Sequence, residues 1–152
     1  MKTKRNKTGL IGFIPILVTL TGCENAGLTA RNRISELTGI EVPENAEMVF
    51  NDKEKDNFFP VPGRRAQYTI FEFLEMPTEF LTINKITNAP KTSFETQFTQ
   101  TLESHIEVGM FDLPETYYPN WESEYQWLDT GLRIYFVYFN EAQLLNIFIT
   151  AT

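Results

Sequence analysis

His105, the only histidine, and the carboxylates are the side chains from which chemistry could be built, because the chain has no glycine-rich phosphate loop and no Gly-x-Ser-x-Gly elbow. A general base needs a nucleophile and an orienting group within hydrogen-bond reach. His105 follows Leu102 by three residues and precedes Ile106, at the edge of an apolar stripe, with Glu103 and Glu107 on nearby turns. Many hydroxyls are available but no nucleophile motif, so a boundary histidine is the plainer account. Asp52, Glu54 and Asp56 alternate as at the start of a calcium loop, yet the sixth and twelfth positions, where an EF-hand wants Gly and Glu, hold Asn57 and Gly63. A solvated, mixed-charge loop fits these residues better. One histidine and one cysteine cannot supply the usual transition-metal ligand sets, so neither metal nor cofactor is expected. Glu72 with Glu75 and Glu122 with Glu124 could form acid/base pairs, but only if one member is buried with a shifted pKa. No catalytic residue is assigned.

Two stretches are candidates for binding. In "FFPVPGRR", Phe58, Phe59 and Val61 precede Arg64 and Arg65, which would make an apolar patch with a basic edge if exposed. In "ETYYPNWESEYQW", Tyr117, Tyr118, Trp121, Tyr125 and Trp127 alternate with acids. Tyrosine and tryptophan serve as interface anchors, and flat rings stack on sugars. The competing account is that these aromatics pin long loops onto the core. The second stretch is the stronger candidate, since its rings carry polar tips.

The elements that must position these residues follow from periodicity and breakers. "LTARNRISELTG" predicts a short helix capped by Thr29, with Ile34 and Leu37 on one face and Gly39 as a left-handed terminator. Pro43 and Asn45 then turn the chain into a strand near Ala46 to Phe50, and after a long connection from Asn51 to Arg65 "QYTIFEFLEM" predicts a second. "PTEFLTINKIT" could form a helical turn or two. Phe94, Phe98, Leu102 and Ile106 recur every four residues behind Thr92 and Glu95 at capping-box spacing, which predicts the most secure helix. The tail "YQWLDTGLRIYFVYFNEAQLLNIFIT" reads as a hairpin interrupted at Asn140 to Ala142, with a turn or bulge at Asp129 to Gly131. The expectation is one α+β domain, ordered α-β-β-α-β-β, with an antiparallel sheet of about four strands and helices packed on one face. No internal repeat or second domain is visible.

Cys23 is explained by its flanks. Lys2, Lys4, Arg5 and Lys7 precede an uncharged stretch from Thr8 to Gly22, 15 residues long and short of the ~20 that span a bilayer. The run ends Leu20, Thr21, Gly22, Cys23, which resembles the bacterial lipoprotein signal, whose lipobox reads apolar, small, small, Cys. That resemblance implies diacylglycerol on the Cys23 sulfur, cleavage before it and acylation of the new amine. Two or more acyl chains anchor a protein stably where one does not. The expected organisation is a signal peptide over 1–22, a lipidated tether over 23–27 and a single domain over 28–152. Glu24 stands where Asp can signal inner-membrane retention, so an outer-membrane position facing the periplasm is expected in a diderm source, and the outer face of the cytoplasmic membrane otherwise. The remainder loosely resembles small bacterial lipoproteins of unknown function over 34–75 and 125–150, through "LTGIEVPENAEMVF", a strand pair and a terminal hairpin. Their Gly and His rich loop is replaced here by "NFFPVPGRR", so no role of that loop transfers.

After such processing the charge would be 9 − 20 = −11, since residues 1–22 hold four of 13 basic residues and none of 20 acids. Nucleic acid and anionic headgroups are thereby disfavoured as partners of the folded part. No intramolecular disulfide is possible with one cysteine, and the domain, which holds 20 of the chain's 21 aromatics, must rely on its core. Four functions stay in view. A membrane-anchored binding or structural protein of the envelope leads. An inhibitor or immunity lipoprotein against a basic toxin or hydrolase would use the negative charge. A carboxylate-based enzyme would need two converging acids, and a sugar-binding module would need Tyr117, Tyr118 or Trp121 exposed as a platform.

Overall fold

The computed structural model describes residues 21–54 and 65–150, with side chains from Ala26 onward. The signal stretch to residue 20, Asp56, Phe58 and Phe59 lie outside the described residues, and Cys23 is placed only as a backbone position.

Strands form where β-branched and aromatic residues concentrate. They are β1 (Glu47–Lys53), β2 (Gln67–Glu72), β3 (Tyr125–Asp129), β4 (Ile134–Phe139) and β5 (Leu144–Ile149). All pairings are antiparallel, in the order β1-β2-β5-β4-β3. The helices are α1 (Thr21–Thr38), α2 (Thr78–Ile83) and α3 (Thr92–Glu107), followed by a 3-10 turn at Glu115–Tyr117. The α+β class is therefore as expected. The sheet has five strands rather than about four, because Gly131 and Arg133 adopt positive φ and Thr130 N–H donates to the Ile134 carbonyl. That tight turn makes "YQWLD" a strand of its own, paired along β4.

The helices do not share one face. Burial along β4 is continuous, and five of six residues are buried in both β2 and β5, so each of these strands feeds two cores. One core joins Ile34, Phe80 and Leu81 to Phe71, Phe136, Ile147 and their neighbours. The other joins Phe94, Phe98 and Leu102 of α3 to Tyr68, Tyr135, Val137 and Phe148. A sheet apolar on both sides must be covered twice, which puts α1 and α2 opposite α3. The chain changes face past the β3 edge, where Asn88 bridges Trp127 and donates from Nδ2 to its carbonyl (2.8 Å).

α1 starts eight residues before the predicted Thr29 and includes the stretch read as a tether. Its early turns are held by packing: Gly27 is buried, and a Cβ there would lie 3.8 Å from the Met48 side chain and 3.2 Å from Arg31. Arg31 donates to the Ala46 carbonyl and sits over the Phe71 ring, and Arg33 donates to Gln67 Oε1 (2.6 Å). Gly39 ends α1 with φ of 72°, as its position predicts.

Phe98 is fully buried and touches the rings of Tyr68, Tyr135, Trp121 and Phe148. Phe98→Ala should cost about 3–5 kcal/mol in urea unfolding, whereas Leu74→Ala, at a side chain 92 % exposed, should leave the midpoint nearly unchanged. Equal losses at the two positions would contradict this account of the core.

Candidate functional site

The aromatic and acidic stretch is anchored first through Tyr125, which is 1 % exposed. Its hydroxyl accepts from the Lys91 backbone N–H (2.8 Å) and donates to Glu95 Oε1 (2.7 Å). The expected capping box is replaced by this bridge: Lys91 holds the N-cap position and makes no side-chain cap bond, and Glu95 reaches the cap through the tyrosine. Trp121 packs edge-on to Phe98 (5.5 Å) and Tyr125 (5.1 Å), while its Nε1–H donates to Thr99 Oγ1 (2.9 Å). Tyr117 lies against Phe50 (5.2 Å), its hydroxyl donating to the Val49 carbonyl (3.3 Å). Tyr117, Trp121 and Tyr125 thus pin the loop, and no three-ring platform forms. Tyr118, at 41 % exposure, is the one that faces solvent.

Where this loop meets the β4–β5 turn, a cleft of about 410 Å³ opens. The loop contributes Thr116, Tyr117, Tyr118, Asn120 and Ser123, and the hairpin contributes Phe139, Glu141, Ala142, Leu144 and Asn146. The volume falls within the range of small-molecule sites. Among the described residues the lining offers rings, hydroxyls and amides, one carboxylate and no basic side chain. A second hollow of similar volume between the end of α1 and α2, bordered by Phe80 and Ile83, is more open.

Asn146 gives the cleft its chemical character. It interrupts the apolar run of β5, flanked on neighbouring strands by Ile70 and Val137, and is 3 % exposed. Its Nδ2 donates to the Tyr68 hydroxyl (3.1 Å), while Oδ1 is buried without a hydrogen-bond partner. Such an orphan costs about 1–3 kcal/mol. Turning the amide over does not help, since Tyr68 would then donate to Oδ1 and leave the NH2 group without an acceptor. Burial pushes the Tyr68 phenol far above its ordinary value, only partly opposed by the Asn146 bond, so this hydroxyl stays neutral.

The other candidates do not gather. His105 Nδ1–H donates to the Thr101 carbonyl (2.7 Å), and the ring stacks on Phe111 (5.7 Å) and meets Phe148 edge-on (5.3 Å), which makes it a boundary aromatic of the α3 core. Asp52 accepts from the Lys53 and Asp112 backbone N–H groups, and Glu54 from that of Ala66. Glu72, Glu75, Glu122 and Glu124 are all exposed. Among the described residues no three His, Cys, Asp or Glu side chains form a metal-binding group, and no helix is long and apolar enough to cross a membrane.

Of the predicted binding residues, Tyr117 and Tyr118 line the cleft, and Trp121 and Tyr125 support it from the core. Asn146, Asn120, Ser123 and Glu141 were not anticipated. The available signal was Asn146 itself, one polar residue amid "LLNIFI".

Burial, then the bond to Glu95, hold the Tyr125 phenol up at about 12 against an ordinary 10.0. The folded state therefore keeps this proton more tightly, and the resulting stability is full below pH 10 and is lost as pH rises towards about 12. Tyr125→Phe should lower stability by about 1–2 kcal/mol at neutral pH through the lost cap and hydrogen bonds. It should also flatten the decline above pH 10 seen in urea titrations; an unchanged alkaline slope would remove Tyr125 as its source. Comparison with known proteins returns no matching family model, no matching curated protein and no matching solved structure.

Proposed function

We propose that this chain is a lipid-anchored protein of the bacterial envelope whose domain binds a partner at the Tyr118 cleft without transforming it. The lipobox ending at Cys23 supports the anchor. The observation that carries the binding reading is the cleft lining, where an exposed ring and neutral polar groups surround a single carboxylate, Glu141. Hydrolysis of a glycosidic bond by paired carboxylates would need a second acid about 5–10 Å away in the same cleft. A basic protein partner is a second version of this reading. It is favoured by the exposed Glu115, Glu122, Glu124 and Glu141 around the same end of the domain and by the −11 charge after processing.

Two experiments test the two halves. In a bacterial host, labelled palmitate should enter the full chain and be lost in Cys23→Ser; equal labelling of both would exclude Cys23 as the anchor. Affinity capture from envelope extract with the full chain in detergent should retain a partner that Tyr118→Ala releases, and for a basic protein the capture should weaken at high salt. A partner held equally by both proteins would place the binding surface elsewhere.

A further inference from the structure

Asn146 sits at the base of the cleft with one end of its amide on Tyr68 and the other end unmatched. From this we infer that the cleft is a site for a small uncharged polyhydroxylated molecule, a mono- or disaccharide, held by its hydroxyls on Asn146, Ser123 and Glu141 and by a C–H face on Tyr118. The inference rests on the reading of the Tyr118 end as the binding end of the domain.

The lining argues against anionic and purely apolar ligands, and the choice between a neutral and a cationic one falls to the test. Among the described residues no lysine, arginine or histidine borders the cleft, and Glu141 does, so a phosphate or carboxylate would be desolvated against a like charge with no described counter-ion. A purely apolar molecule would leave the Asn146 amide unmatched. A hydroxyl both donates and accepts, so one that reaches the free end of the Asn146 amide, which is itself buried at the base of the cleft, satisfies it whichever way the amide is turned. Asn120 and Ser123 are already paired with each other (Nδ2 to Oγ, 3.0 Å), which leaves the Ser123 hydroxyl hydrogen able to donate into the cleft. Tyr118 is the exposed ring at the rim, of the kind that packs on the C–H face of a sugar. The volume of about 410 Å³ suits one or two sugar rings, not a polymer lying across a flat surface.

Ligand-observed NMR on the full chain in detergent would test this with D-glucose, N-acetyl-D-glucosamine and maltose as neutral probes, and glucose 6-phosphate and glucosamine as anionic and cationic ones. At least one neutral sugar should saturate with Kd on the order of 1 mM or tighter. Tyr118→Ala and Ser123→Ala, both at the surface, should weaken it about fivefold or more with unchanged melting curves. Asn146→Leu should abolish it; if that variant does not fold, the two surface variants carry the test. Absence of saturable binding for every neutral sugar would overturn the inference and leave the orphan amide to an internal water. So would preference for the phosphorylated or cationic probe, or binding unchanged in both surface variants. Protein capture that depends on Tyr118 alongside failure of all sugars would sink the ligand class while sparing the binding function.

Discussion

Burial of the sheet on both faces is the constraint from which the rest of this structure follows. β2, β5 and β4 stand at the centre of the strand order and expose almost nothing, so odd and even positions along each strand must each find a cover. Phe71, Phe136 and Ile147 go to α1 and α2, and Tyr68, Val137 and Phe148 go to α3. A shift of register by one residue in any of them would exchange the two sets and mismatch both covers at once. The antiparallel ladder and the helix positions are therefore mutually dependent, and the large buried rings of Tyr68, Phe71, Phe98 and Phe148 hold them in place.

Covering the second face is harder than covering the first. α3 has 16 residues, roughly 24 Å of helix, and the loop after it completes the cover. Leu113, Trp121 and Tyr125 supply its apolar side, and hydrogen bonds from Tyr117 to Val49 and from Trp121 to Thr99 fasten it. Tyr125 then ties the loop's far end to the start of α3, serving as a cap that no residue adjacent in sequence provides. The aromatic richness of this stretch is thus first a packing requirement.

The cleft lies where that cover stops. Between Tyr118 and the β4–β5 turn the sheet is left with a gap, and the residue of β5 beneath it is asparagine in place of the apolar residue the pattern calls for. Proteins break local rules of this kind at functional positions more readily than elsewhere. The Asn146 amide is such a break: buried, held from one side by Tyr68, unmatched on the other and flanked across the sheet by Ile70 and Val137.

Local pattern in the chain was sufficient for the α+β class, for α3 with its four-residue stripe, for the Gly39 terminator and for the turn at Asn140. These depend on backbone preferences and on neighbours a few residues away, which sequence carries directly. It was also sufficient to weigh Tyr117, Trp121 and Tyr125 as loop anchors against a partner surface, but not to separate Tyr118 from them, because exposure depends on what packs above each ring. The two-sided placement of the helices, the early start of α1 and the tyrosine cap were decided by tertiary contacts. Each joins residues 15 or more positions apart, as in Arg31 with Ala46 or Lys91 with Tyr125, where periodicity has no reach. Asn146 shows the same division: its polarity was legible in "LLNIFI", but only the fold brings Tyr68 to one end of its amide, from 78 residues away, and leaves the other end unmatched at the base of a cleft.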